Sequence, residues 1–295
     1  MITMGTYSIK DLERLSGIKA HTIRIWEKRY GLIEPTRTST NIRTYCDAEL
    51  KKILNISILN RNGLKISKIA QLTPGEISGL VTKLTEDTKD TSSQFDSLYI
   101  SMIDLDENLF EKIISRSIIQ LGFEQMVIQL LFPFFNRIGI MWQTGTISPA
   151  QEHFISNLFR QKLIVAIDSI FSTDKANPKT FILYLSENEL HELGLLFIYY
   201  LLKKRGHKVI YLGAMLPFDS LQAIVKLKPA EYLVTSVVSS YEDDNLNEYF
   251  TRIAREFSDK KIIVSGRRAE SIQISAQNLI IVNNINSFIA EIEKI

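Results

Sequence analysis

The chain has 295 residues, 45% of them hydrophobic and 23% charged, which is long enough for two or three domains with a sizeable core. One cysteine, Cys46, excludes an internal disulfide, no apolar run of about 18 residues argues for a membrane span, and residues 1–5 do not read as a secretory leader, so a cytoplasmic protein with no membrane partner is expected. The net charge of +2 hides an asymmetry: residues 1–75 hold 13 Lys+Arg against 6 Asp+Glu, a net +7, and the remaining 220 hold 22 against 27, a net −5. A basic head on an acidic body suggests that the head alone meets a polyanion.

Residues 8–15 read as a short helix, with Ser8 as N-cap and Ile9, Leu12 and Leu15 on one face. Ser16-Gly17-Ile18 is a turn. Residues 19–30 read as a second helix with Ile23 and Trp26 inward and His21, Thr22, Arg24, Lys28 and Arg29 outward. Two short helices across a glycine turn are the pattern of a helix-turn-helix, whose second helix enters the major groove. A polar stretch with Arg37, Asn41, Arg43 and Tyr45 follows, suited to a wing whose arginines reach phosphates. Asp47 is the expected cap of a third helix through residue 60, and residues 65–72 form a fourth.

The ordered run Arg24-Ile25-Trp26-Glu27-Lys28-Arg29-Tyr30-Gly31-Leu32, with the turn before it and Arg37, Arg43 and Tyr45 after it, resembles the winged helix-turn-helix of MerR-family transcription regulators. The resemblance covers about the first quarter of the chain. It implies double-stranded operator DNA as partner, with His21, Thr22, Arg24, Lys28, Arg29, Arg37, Arg43 and Tyr45 as candidate contacts. Trp26 reads as core. Any one of the basic residues, taken alone, would be a solvated helix face.

Residues 76–93 read as a weak helix running into a polar linker. From 94 to 177 the pattern is helical, with apolar positions recurring at three and four, as in Phe110, Ile113, Ile114 and Leu163, Ile164, Ile167. Four such helices make a small bundle. Within it Trp142 precedes Glu152-His153 by nine intervening residues, across a turn at Gly145 and a helix start at Ser148-Pro149. Taken alone, Trp142 is as readily a core residue and His153 a surface one. The spacing resembles the W-x9-E-H motif of CarH-type cobalamin-dependent repressors. There it implies a pocket for the upper, 5′-deoxyadenosyl group. Gln143 stands where that family can have a second cobalt-capturing histidine.

From residue 180 apolar strands alternate with amphipathic helices. Strands are expected over 181–185, 208–212, 232–236, 261–265 and 279–282, and helices over 194–205, 219–227, 243–257, 268–275 and 284–294. Five βα units imply a parallel sheet of flavodoxin-like, Rossmann-type order over 178–295, with a ligand at the carboxyl ends of the strands. Glu189-Leu190-His191-Glu192-Leu193-Gly194 falls in the loop after the first strand. A histidine there can leave the sheet and hold a metal, and a carboxylate beside it can orient the ring. An isolated loop histidine is also common. A zinc site needs three or four clustered ligands, whereas a cobalt in a corrin needs one from the protein.

The motif resembles the E/D-x-H-x-x-G of cobalamin-binding domains. That implies His191 as the lower ligand of cobalt, with Glu189 and Gly194 beside it. The same resemblance implies Gly213, Ser236, Val238, Ser265 and Gly266 as cofactor-binding positions. Ser236 would touch the nucleotide tail, and Ser265 stands where a first glycine is usual. His207 reads as structural, with no partner evident nearby. The resemblance as a whole implies a multidomain, non-enzymatic repressor that binds adenosylcobalamin, or methylcobalamin, and responds to light by assembly and disassembly of a homo-oligomer, dimer or tetramer. Light-independent cobalamin sensing, a cofactor-free MerR-type regulator, and a subunit of a corrinoid methyltransferase or mutase are the alternatives.

Overall fold

The computed structural model describes residues 6–87, 91–143, 147–171, 175–238 and 243–295, and divides into two compact units, Met1–Leu158 and Phe159–Ile295. The first unit opens with α1 (Ile9–Ser16). Ser8 and Asp11 form a reciprocal cap at its start, and Gly17 closes it at φ 71°. Next comes α2 (Ala20–Tyr30), which buries Ile23 and Trp26. The wing is the antiparallel pair β1 (Thr36–Arg37) and β2 (Arg43–Thr44). Its base is pinned by a two-way backbone bridge between Tyr7 and Tyr45, at 2.8 and 2.9 Å.

The third helix, α3 (Asp47–Arg61), departs from expectation at its start. Cys46 occupies the N-cap, and Asp47 is the first helical residue. The Asp47 carboxylate accepts from the Tyr7 hydroxyl at 2.6 Å instead of capping the helix. After the short α4 (Ile66–Ile69) comes α5 (Pro74–Asp87), followed by α6 (Thr91–Asp104). The weak helix expected within 76–93 is the later part of α5, which runs to Asp87, and α6 begins at Thr91. Ile77 and Val81 are buried, and α3 packs against both α5 and α6. Ion pairs Arg61–Asp96 and Lys51–Asp104 join α3 to α6 at opposite ends. The polar composition of 86–93 conceals these contacts because the apolar face lies earlier in α5 and later in α6.

The helical region continues with α7 (Glu107–Leu121). The next helix is one run, α8 (Phe123–Met126), a π-helical turn (Val127–Leu131) and α9 (Phe132–Gln143). It ends with α10 (Pro149–Asp168). Four helical runs match the expected bundle. The division between the two units falls within α10. Its second half is tied to the α/β unit by Lys203, whose ammonium donates to the Ile167 carbonyl at 2.8 Å.

The second unit holds a five-stranded parallel sheet: β3 (Thr180–Ser186), β4 (Lys208–Leu216), β5 (Tyr232–Ser236), β6 (Lys261–Ser265) and β7 (Leu279–Ile281). Its order is β4-β3-β5-β6-β7, the flavodoxin-like order. The helices are α11 (Leu193–Lys204), α12 (Phe218–Leu227), α13 (Asp243–Glu256) and α14 (Ile285–Ile292). The helix expected over 268–275 is only a 3₁₀ turn, Ala269–Ser271, because Ile272 returns to extended backbone. Alternation along the strands supplies two faces. Ile182, Tyr184, Leu233, Ile262 and Val264 pack with Phe218, Leu221, Phe250, Ile253 and Phe257 of α12, α13 and the turn after α13. Residues of opposite parity, such as Phe181 stacked on Tyr232 at 4.6 Å, belong to the other face. Strand order then reverses between β4 and β5 on either side of β3, which puts the ligand crevice at the ends of β3 and β5.

His207, read as structural, is buried before β4 and does have partners. Its Nε2 lies 2.8 Å from the Lys175 ammonium, its Nδ1 accepts from the Lys179 backbone at 3.3 Å, and its ring meets Phe181 edge-on. Burial first, then the cations Lys175 and Arg205, hold its pKa down to about 4. Between that value and the ordinary one near 6.5 the unfolded chain binds more protons than the folded one. This stabilisation is complete above the unfolded pKa and is lost as pH falls through the window. Thermal melting at a series of pH values should show a steeper loss between pH 6.5 and 4 for the native chain than for His207→Gln. Parallel curves would contradict this.

Candidate cobalamin site and nucleic-acid interface

In the second unit the turn after β3 is built around one carboxylate. Glu189 is 0% exposed. Its Oε1 accepts from the His191 backbone N–H at 2.9 Å and lies 2.6 Å from the His191 Nδ1. Its Oε2 accepts from the Val238 N–H at 2.7 Å, which belongs to the loop after β5. A buried carboxylate requires such donors. The contact across the end of the sheet therefore bridges the two loops that border the crevice. With Nδ1–H given to Glu189, a neutral imidazole keeps its lone pair on Nε2. The His191 side chain is 62% exposed beside the loop after β5.

The residue after it is anchored from two sides. Arg160 Nε donates to Glu192 Oε1 at 2.5 Å, and the Tyr211 hydroxyl donates to Glu192 Oε2 at 2.9 Å. Burial, then the Glu192 charge, pushes the Tyr211 phenol far up, so it stays a donor. Arg160 and Tyr211 were not singled out from the sequence, and no local spacing signals them, since they lie 32 and 19 residues from Glu192.

The glycines differ in role. A side chain at Gly194 would point into open space, so the first turn of α11 presents bare backbone beside His191. Gly213 sits at φ 77° where the β3–β4 register shifts. Gly266 is at φ 99°, and a Cβ there would stand 2.4 Å from the Val237 carbonyl and 2.7 Å from the Ser236 hydroxyl. That close approach locks the β5 and β6 loops together, with Val237 N–H donating to Ser265 O at 2.8 Å and Arg268 N–H to Val237 O at 3.0 Å. Ser236, expected to touch a nucleotide tail, is 4% exposed beneath this contact. Ser265 turns its hydroxyl to the Thr235 carbonyl at 3.3 Å, and Val238 is half-buried. Among the described residues no group of three or more His, Cys, Asp or Glu is placed to hold a bare metal ion.

In the first unit, Ser148 caps α10 by accepting from the Ala150 N–H at 3.2 Å. In the turn that follows, Glu152 Oε2 lies 2.6 Å from His153 Nδ1, and the His153 ring is exposed. Trp142 and Gln143 lie in α9, but their side chains, like Gly145, fall outside the described residues.

The head exposes His21, Arg24, Lys28, Arg29 and Arg37, with Thr22 half-buried. Arg37 donates to the Asn41 side chain at 2.7 Å across the wing tip. Arg43 pairs with Glu27 of α2 at 3.3 Å, so it fastens the wing to the second helix. Tyr45 is 2% exposed and belongs to the core of the head, not to its presented face. Its backbone bridge to Tyr7 turns the ring inward.

Two family models match, in chain order. Residues 7–76 match the MerR HTH family regulatory protein and residues 94–166 match the B12 binding domain. The first stretch is thus similar to a MerR-type head and the second to a B12-binding helical domain. It is 26% identical to the HTH-type transcriptional repressor CarH of Myxococcus xanthus over 93% of each chain. It is 26% identical to the HTH-type transcriptional repressor CarA of the same organism over 76% of this chain and 74% of CarA. Among solved structures, the Methanosarcina barkeri monomethylamine corrinoid protein superposes with a TM-score of 0.55 at 14% identity. The match covers 70% of this chain and 100% of that one, and it shows a shared fold.

Glu189, which joins the turn after β3 to the loop after β5, is the residue whose change should be felt in both loops. Glu189→Gln keeps the shape but faces one of its donors with an amide N–H. Leaving a buried donor unpaired costs about 1–3 kcal/mol. The denaturant midpoint of the α/β unit should fall accordingly, and an unchanged midpoint would show that the bridge contributes nothing.

Proposed function

We propose that this chain is a DNA-binding transcriptional regulator, a repressor, controlled by bound cobalamin. The observation that carries it is the Glu189 bridge, which orients the exposed His191 ring in the turn after β3 of a flavodoxin-like sheet. The MerR and B12-binding matches, and the alignment along most of CarH and CarA, support it. Bound there, an alkylated cobalamin would supply a cobalt that takes a protein nitrogen and a light-sensitive cobalt–carbon bond.

The protein supplies binding and readout. His191 would hold the cobalt through its ring nitrogen, and Glu189 would fix the tautomer and direction of that ring. Gly194 and Gly213 leave backbone accessible to a flat ligand. Gly266 holds the loops that flank the nucleotide side, with Ser236, Val238 and Ser265 around it. Trp142, Glu152 and His153 are assigned to the upper, adenosyl side, which favours adenosylcobalamin over methylcobalamin. On the head, the exposed cations Arg24, Lys28, Arg29 and Arg37 meet phosphate and base edges of duplex DNA.

The finer reading is a light-responsive switch. A dark homo-oligomer, a tetramer or dimer, grips operator DNA and comes apart on illumination. Paired heads bind with avidity, so disassembly alone weakens the grip. Its reading as a regulator and not an enzyme rests on the MerR-type head.

The test is direct. Purified protein mixed with adenosylcobalamin in the dark should retain the chromophore through gel filtration and elute as an oligomer, then elute smaller after illumination. Loss of the chromophore on the column contradicts the cofactor assignment. A retained chromophore with no change in size leaves a cobalamin sensor and rejects the photoreceptor. His191→Ala should weaken cobalamin binding about tenfold or more, and unchanged affinity contradicts its role as ligand.

A further inference from the structure

Ile25 is 53% exposed on α2. It stands four residues after His21 and three and four before Lys28 and Arg29, so these side chains are its neighbours on the helix surface. At about 100° per residue, Ile23 and Trp26 face inward, and the outward arc runs from Arg24 through Lys28, His21 and Ile25 to Arg29. Ile25 is the one apolar side chain on that arc. A single exposed apolar residue is ordinary on a protein surface. Its position is not: it lies within the face of the helix that a helix-turn-helix presents to the major groove. The cations around it commit the face to a polyanion, and residues 1–75 carry a net +7. They also exclude a purely apolar partner.

Cations read phosphates and guanine edges. An aliphatic side chain donates and accepts no hydrogen bond, so it reads only shape and methyl groups. The major groove offers one apolar group on a standard base, the C5-methyl of thymine. We propose that Ile25 is a specificity-determining residue that packs against a thymine methyl within each half-site. This rests on the DNA-binding reading of the head and adds to it a base preference. Ile25 is held in register by the buried pair on either side of it, Ile23 and Trp26, and by the Arg43–Glu27 tie that fixes the wing to the same helix.

The experiment uses the full-length protein, in the dark with adenosylcobalamin, to select duplexes from a random pool. In the best-bound duplex each thymine is then replaced singly by uracil, which removes the C5-methyl and leaves every hydrogen-bonding group. At one position per half-site the affinity of the native chain should fall about threefold to tenfold. Ile25→Ala, checked for unchanged thermal melting, should bind the thymine and uracil duplexes equally. Ile25→Val, which keeps a branched aliphatic surface, should retain most of the discrimination. Indifference of the native chain to uracil at every position overturns the inference while leaving DNA binding intact, as does an Ile25→Ala variant that still discriminates. No enriched duplex at all overturns the DNA-binding reading and the inference together.

Discussion

A carboxylate with no exposure to water needs donors, and Glu189 takes the His191 ring, the His191 backbone and the Val238 backbone among them. The rest of the α/β site depends on that requirement. An ionised carboxylate stripped of these partners would carry a desolvation penalty of several kcal/mol. Satisfying it fixes three things together: the turn after β3, the loop after β5, and the direction of the imidazole between them. Because those loops leave adjacent strands where strand order reverses, the same interaction closes one end of the crevice and arms it.

The neighbouring contacts act on the same small region. Glu192 is held between Arg160 of α10 and Tyr211 of β4, so the residues on either side of Leu190-His191 are both fixed. Gly266 fits against Val237 and Ser236 with no room for a methyl group, which holds the β6 loop to the β5 loop and hence, through Val238, to Glu189. His191 is thus the exposed tip of a rigid frame. Under the proposed function, such preorganisation is what a single protein ligand to a metal would need.

Strand positions were legible in the sequence because β3, β5 and β6 are buried on both faces and read as unbroken apolar runs between polar turns. Glu189 and His191 were legible because their contact is local, two residues apart. The partners that complete the site were not. Val238 was named from the resemblance, but not its backbone N–H bond to Glu189, and Arg160 and Tyr211 arrive from distant elements, so no spacing announces these contacts. In the head, the pattern gave the helices and turn, but it could not separate exposed from engaged side chains. Arg43 is paired to Glu27, and Tyr45 is folded inward by its bridge to Tyr7. The weak helix expected at the start of 76–93 is α5, and its packing on α3 was not legible because the polarity of the exposed face says little about the other face.

The account stands or falls on whether a His191 nitrogen holds the cobalt. Electron paramagnetic resonance of the protein reconstituted with cob(II)alamin reads that nitrogen through its coupling to the unpaired electron. With natural nitrogen the axial coupling is a triplet. With histidine labelled by nitrogen-15 in the protein, the account predicts doublet splitting, lost in His191→Ala. A triplet that persists in the labelled protein would show that the cofactor keeps its own base, and would contradict the account.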